Sequence, residues 1–381
     1  MLAEGTRTAG LPADRRIRAF DLARGLAVLF MILVHTLGHY GTDESWASPL
    51  GAALIFLGGP TAAPVFMFLM GTSLAFSRRS GPGEIARRGI WLLALAYTLN
   101  VLRGALPATL GLATGVVTDE SIAPYSVAVL LTLVDIHQMA GLSLLVIAVL
   151  VAVAGRSGYL RVAAVSLAVI VALAAPALWG IRTGFLPLDL GLGLLWGSDW
   201  NVFFPLFPWL VYPLAGFVYG RTLVARPDRR RFVRRAGVVG IGFGLAGLAA
   251  IVAAGTPIGV EQYWRQPPAV LLAIVGLVIA WLSLADVVVA RLRPNRGLDV
   301  LYGWSARVTS MYCVHWILIG WGVGLVGHRQ LGPAALVIAM AIVVALSDRI
   351  TAVVPFLRGP RSQPSGGELA PALVPVTPTG R

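Results

Sequence analysis

The sequence has little of what a soluble protein is built on. Only 12% of its residues are charged, against about 25% in an ordinary soluble domain. Lysine is absent: all 30 basic residues are arginine, and they outnumber 17 acids for a formal net charge of +13. Cys313 is the only cysteine, which excludes a disulfide framework within the chain. With 57% hydrophobic residues and a mean hydropathy of +0.81, intrinsic disorder is excluded except at the two ends. Phosphate-binding fingerprints are missing as well. Gly58-Gly59 and the glycine-rich run at 238–247 match neither the dinucleotide nor the P-loop pattern. In a soluble protein so basic a balance would suggest nucleic acid. The placement of the arginines gives a different answer.

What the sequence does have is apolar runs, at 19–38, 51–76, 88–106, 137–155, 160–179, 203–220, 236–255, 268–290, 301–325 and 332–355. Each is near the roughly 20 residues that a helix needs to cross a bilayer. The connections between them alternate in character. Arg7, Arg15, Arg16 and Arg18 precede the first run, and Arg78, Arg79, Arg87 and Arg88 follow the second. Arg156 and Arg161, then the cluster from Arg221 to Arg235, then Arg291, Arg293 and Arg296 occupy every second connection after that. The remaining connections hold few arginines (Arg103, Arg182, Arg265, Arg329) and many of the loop acids, among them Asp43, Glu44, Asp119, Glu120, Asp189, Asp199 and Glu261. Short arginine-rich loops stay in the cytoplasm. The pattern predicts an all-α polytopic protein of the plasma membrane, with about ten spans and both termini cytoplasmic. The arginines then form a collar facing anionic lipid heads, which would equally suit an anionic cytosolic ligand.

Residues 18–357 read as one membrane domain, between a cytoplasmic N-terminal tail at 1–17 and a Pro/Gly/Ser/Thr-rich tail at 358–381. The first run is too long for the core of a cleaved signal peptide, and no small-residue cleavage pattern follows it. The stretch 123–154 would measure about 48 Å as continuous helix. It exceeds a hydrocarbon core of about 30 Å, so its first part is expected at the outer face, with Asp135 and His137 near the outer mouth. No internal repeat is evident, which counts against an inverted-repeat transporter.

Ionisable groups inside spans are costly and mark function by default. In the first run, Asp21, Arg24 and His35 share one helical face, because three and eleven residues are close to whole turns. The rise from Arg24 to His35 is about 17 Å. One strip therefore carries a cation near the cytoplasmic boundary and an imidazole in the outer half, with Asp21 placed to neutralise Arg24. The ninth run repeats the arrangement, with Arg307 near the cytoplasmic end and Tyr312 and His315 deeper on one face. Asp348 and Arg349 of the tenth run fall at the depth of Arg307, and a structural Arg307–Asp348 pair is the favoured reading there. His35 and His39 have no third ligand at recognisable spacing, so no metal site is read. Cys313 and His315, two residues apart, point in different directions, which favours packing over a thiol nucleophile.

At these residues the sequence resembles the integral-membrane acyltransferase superfamily. Asp21-x-x-Arg24-Gly25, with His35 eleven residues after Arg24, is similar to the Arg-x10-His signature of its first helix. Four further segments look like the heparan-alpha-glucosaminide N-acetyltransferase branch: Ala63-Pro64-Val65-Phe66-Met67-Phe68-Leu69-Met70-Gly71, Asp135-Ile136-His137-Gln138-Met139-Ala140-Gly141, Phe207-Pro208-Trp209 with Tyr219-Gly220-Arg221, and Arg307-Val308-Thr309-Ser310-Met311-Tyr312-Cys313-Val314-His315. Ala306 stands where that branch has glycine before the arginine, and Met311 where it has leucine.

The resemblance implies transfer of an acyl group, acetyl above all, from cytosolic acyl-coenzyme A to a hydroxyl or amine of an acceptor at the outer face, with no metal. The acceptor would be a sugar, glycan, lipid or small metabolite. The coenzyme phosphates would rest on Arg24, Arg78, Arg79, Arg87 and Arg88, with Asp21 and Arg307 completing the donor-side set. His35 would be the base, or would itself carry the acyl group. His315, Tyr312 or Gln138 would serve the oxyanion, Asp135 would orient an imidazole, and His137 completes the catalytic set. Lipid and acyl-coenzyme A are the expected partners and nucleic acid is not; the oligomeric state is left open. The rival reading is a transporter or flippase using Asp21, Arg24, Asp135, His137, Asp286 and Asp348 as an ion relay.

Overall fold

A backbone inside hydrocarbon has to satisfy its own hydrogen bonds, so long apolar runs fold as helices. The computed structural model describes residues 17–155, 159–199, 201–257 and 259–357. Among them every named element is helical, and nine helices are long and apolar enough to cross a bilayer. The chain is an all-α, multi-pass membrane protein. The tail residues 1–16 and 358–381, with Arg7, Arg15, Arg16 and also Arg156, lie outside the described residues.

The first span is α1 (Arg18–Tyr40). After the short α2 (Asp43–Ala47), the second is made of α3 (Pro49–Gly58) and α4 (Ala63–Leu74), broken where Gly58-Gly59-Pro60 interrupts the run. The third comprises α5 (Pro82–Asn100), a π-helical turn over Val101–Ala105, and α6 (Leu106–Thr114). Two short helices, α7 (Asp119–Ile122) and α8 (Val127–Thr132), lead into α9 (Ile136–Ala154). The stretch 123–154 is therefore not one helix: Asp135 caps α9, its side chain accepting from the Ile136 N–H at 2.7 Å. The chain continues through α10 (Tyr159–Leu178) and the short α11 (Leu186–Trp196).

The expected span at 203–220 is shorter and broken. It is formed by α12 (Leu206–Trp209) and α13 (Val211–Val224), with Phe207 in a non-helical conformation. Next come α14 (Arg229–Ala253), α15 (Val260–Trp264) and α16 (Pro268–Arg291). The glycine-rich run of α14 has a packing role: a Cβ at Gly240 would lie 2.7 Å from the Gly276 carbonyl oxygen of α16. Close backbone approach between small residues is how helices associate where no hydrophobic force separates protein from lipid. The last elements are α17 (Arg296–Ala306), α18 (Val308–Val326) and α19 (Pro333–Val353), with the chain leaving helical geometry at Arg307.

Contacts between connections gather Arg78, Arg79, Arg226 and Arg293 toward one end of the bundle, the basic end. Ser80 and Arg221 line one cavity, the Arg229 guanidinium stands 5.9 Å from the Phe76 ring centroid, and Arg234 lies 3.6 Å from Asp286 near the end of α16. The central element is α1, which packs against α3, α4, α16, α17, α18 and α19. That position turns a single strip of α1 into the inner wall of the molecule.

Candidate active site

The strip of α1 read from the sequence meets α17 and α18 at both of its polar ends. Near the basic end, Ser305 donates to Asp21 at 2.9 Å, and Arg24 donates to the Ser305 hydroxyl at 3.4 Å and lies 3.7 Å from Asp21. Gly25, next to Arg24, allows this approach: a Cβ there would sit 2.3 Å from the Leu301 carbonyl oxygen of α17. Toward the other end, His35 Nδ1 lies 2.9 Å from His315 Nε2 of α18. Between the two ends the strip carries Val28 and Met31, both buried. Packed apolar side chains thus separate the cationic end from the imidazoles.

The two imidazoles form a directional pair. His315 Nδ1 lies 3.0 Å from the Met311 carbonyl oxygen, which can only accept. In the neutral state His315 therefore carries its proton on Nδ1, and its Nε2 is an acceptor. His35 must then donate from Nδ1, which leaves Nε2 of His35 with its lone pair. This is the tautomer that a base requires, fixed by a backbone carbonyl through one intervening ring. Trp316 packs against the same ring, its centroid 4.3 Å from that of His35.

A buried ion pair adjoins the imidazoles. Arg103 Nη1 lies 2.6 Å from Asp135 Oδ2, Tyr312 donates to the same carboxylate oxygen at 2.8 Å, and Arg103 also donates to Asn100 at 3.2 Å. The Arg103 guanidinium stands 4.4 Å from the Trp316 ring centroid. Three spans meet here, α5–α6 through Arg103, α9 through Asp135, and α18 through Tyr312 and Trp316. Gly320 holds the arrangement close, since a Cβ there would fall 1.8 Å from the Arg103 carbonyl oxygen.

Arg103 is a correction to the sequence reading, which placed it in an outer connection. Its side chain is buried in the π-helical turn, and apolar sequence resumes beyond it to Thr114. That resumption was the available signal. A π-turn within an α-helix often marks a functional position. Trp316 was also missed, although its place beside His315 in the sequence pointed to it.

The other expected residues are distributed as follows. Neither oxygen of Asp135 hydrogen-bonds an imidazole; they hold the Ile136 N–H, Tyr312 and Arg103. The three groups considered for the oxyanion are engaged elsewhere: His315 by His35 and Met311, Tyr312 by Asp135, and Gln138 by Leu133 and the Asp135 backbone. His137 is 8% exposed, with its ring 4.2 Å from that of Tyr312. Arg307 pairs with Asp348 at 2.8 Å and also donates to Thr351 at 2.9 Å. Arg78, Arg79, Arg87 and Arg88 are exposed at the basic end, and Arg88 donates to Ser77 at 3.3 Å. A cavity of about 60 Å³ opens at this end, lined by Leu74, Ala75, Ser80, Ile85, Phe217 and Arg221 among others.

All five histidines of the chain join one set of ring contacts. His39 lies 5.2 Å from Trp316 and 6.0 Å from His328, which sits in the loop between α18 and α19. Partial burial and the neighbouring Arg329 cation push the His328 imidazole below its ordinary value. Despite this crowding, no group of three His, Cys, Asp or Glu side chains among the described residues is set to hold a metal ion.

No curated protein matches the chain. The family described as heparan-alpha-glucosaminide N-acetyltransferase, catalytic, matches residues 16–247, more than half of the chain. The match covers His35, Arg103 and Asp135 and stops before α18, so the contribution of Tyr312, His315 and Trp316 rests on the structure. By this match, and with its membrane-spanning architecture, the chain belongs to the heparan-alpha-glucosaminide N-acetyltransferase catalytic-domain family of membrane acyltransferases.

Proposed function

We propose that this chain transfers an acyl group, acetyl above all, from acyl-coenzyme A bound at the basic end to a hydroxyl or amine of an acceptor arriving from the opposite face. The basic end then faces the cytoplasm, as short arginine-rich loops do, and both termini lie there. The observation that carries this reading is the His35–His315 pair, whose hydrogen bonds leave His35 Nε2 as a free proton acceptor.

The step proceeds directly. The acceptor's oxygen or nitrogen attacks the thioester carbonyl carbon while its proton passes to His35 Nε2. The tetrahedral intermediate then collapses, the carbon–sulfur bond breaks, and the departing thiolate takes the proton from His35. The acyl acceptor and free coenzyme A result, and the imidazole pair returns to its starting tautomer. General base catalysis of this kind contributes roughly 10²–10⁴-fold.

Coenzyme A is a multiply charged anion that suits arginine. Arg24, whose side chain is 24% exposed, and the exposed Arg78, Arg79, Arg87 and Arg88 supply the cations at the basic end. Arg307 is committed to Asp348 and Thr351 and serves the α18–α19 junction instead. For the acyl end to reach His35, the pantetheine arm has to displace the packed side chains along the strip. Met31 is fitted to yield, because unbranched methionine repacks readily.

The test is to incubate the purified protein in nanodiscs with radiolabelled acetyl-coenzyme A and separate sets of amino sugars, glycans and lipids. Label moving to an acceptor, with release of the thiol, is the expected outcome. Retention of all label on the coenzyme across every acceptor class would refute the reading.

A further inference from the structure

Four side chains able to carry positive charge surround the Trp316 indole. Tyr312, Trp316 and Gly320 recur at four-residue spacing and so form one stripe of α18. The stripe faces the π-helical turn: Tyr312 reaches Arg103 through Asp135, and Gly320 admits the Arg103 backbone. Trp316 stands between them, its ring centroid 4.4 Å from the Arg103 guanidinium. The His35 ring lies 4.3 Å away at an interplanar angle of 31°, closer to stacked than to edge-on. His315 is 5.5 Å away at 39°, and His39 meets the ring in a T at 5.2 Å.

Proton transfer to His35 turns a neutral ring into a cation inside the protein. A base of this kind is commonly steadied by a carboxylate, and here none pairs with it. Among the described residues no ion pair involves an imidazole. Asp135 is committed to Arg103, Tyr312 and the Ile136 N–H. The Nδ1–H of His35 goes to His315, and the flat of its ring goes to Trp316. A cation within about 6 Å of an indole centroid is attracted by the negative face of the ring, most strongly where water is excluded. The same indole already holds one cation, the Arg103 guanidinium, whose charge Asp135 offsets at 2.6 Å. Attraction to His35 sets in only as the proton arrives, so it lowers the barrier instead of tightening substrate binding.

Resting on the acyl-transfer reading above, we propose that Trp316 is a positioning residue for the reaction. Its indole holds His35 in place and stabilises the imidazolium that His35 becomes between taking the acceptor's proton and passing it to the thiolate. The family match ends before α18, so this role is read from the structure.

The test separates the charge of the ring face from its bulk. Tryptophans carrying one to four ring fluorines, which drain the negative face at nearly constant shape, are placed at position 316 of the full chain by site-specific incorporation. Acetyl transfer from acetyl-coenzyme A is measured to glucosamine as probe amine and glycerol as probe alcohol, beside Trp316→Phe and Trp316→Leu. The inference predicts that kcat falls step by step along the fluorine series, toward a loss of about thirtyfold for a desolvated cation–π contact. The KM for acetyl-coenzyme A should stay unchanged, and Trp316→Phe, with a smaller aromatic face, should keep more of the rate than Trp316→Leu. A kcat that is constant along the series would overturn the inference, even where Trp316→Leu fails to fold, and so would a rise in the KM for acetyl-coenzyme A alone. Either result leaves the function standing. Failure of the wild-type chain to acetylate any amine or alcohol would overturn both.

Discussion

Replacing one member of the Arg103–Asp135 pair should cost far more than replacing both. Their charged atoms are 2.6 Å apart and each residue is only 7% exposed. Arg103→Met leaves the carboxylate with the Tyr312 hydroxyl and the Ile136 N–H but removes the one cation that pairs with it among the described residues. Asp135→Asn leaves the guanidinium with Asn100 and the face of Trp316 but with no anion in pairing range among the described residues. Removing one partner of a buried pair costs roughly 3–5 kcal/mol, because the other charge stays uncompensated, whereas replacing both with neutral groups is often close to neutral. Each single variant should therefore lose about 3–5 kcal/mol, and Arg103→Met/Asp135→Asn should lie well above either. Denaturant unfolding in detergent, followed by tryptophan fluorescence, measures all three. If the losses simply add in the double variant, the two groups are not coupled and the pair does not hold the three spans together.

Three further outcomes follow from the same contacts. Gly320→Ala puts a methyl group where the Arg103 carbonyl oxygen stands; it should move the π-turn and depress transfer at least tenfold, by the scale of a misplaced catalytic group, and normal transfer would separate Arg103 from catalysis. Arg24→Ala should raise the KM for acyl-coenzyme A by about tenfold or more, the range for a hydrogen bond to a charged group, with kcat little changed. An unaltered KM would make Arg24 a structural partner of Asp21 and Ser305. Arg307→Met should lower the unfolding midpoint through loss of the Asp348 and Thr351 contacts while leaving the KM for acyl-coenzyme A unchanged.

Much of the architecture was legible because a bilayer imposes one length and one composition on every span. Nine of the ten apolar runs coincide with helices that meet those demands, and the tenth, at 203–220, falls short because α13 has only 14 residues. The Asp21/Arg24/His35 strip was legible for a similar reason, since helical periodicity alone puts them on one face of α1. The sequence could not show what that face meets: Ser305 and His315 are both about 280 positions away. Arg103 was misread because arginine near the end of an apolar run usually marks the membrane boundary, whereas here Asp135 on another helix offsets its charge. The direction of the imidazole pair depends on Met311 offering a carbonyl to His315, and no residue type encodes that contact.

The central claim is that His35 removes the acceptor's proton through Nε2 while its Nδ1 holds His315. His35→Asn tests it most directly, because the asparagine amide reproduces the Nδ1–H donor and deletes the basic nitrogen. With acetyl-coenzyme A and a competent acceptor, the turnover of folded variant protein should fall roughly 10²–10⁴-fold with donor affinity preserved. Turnover within a few fold of the wild-type chain would contradict the account.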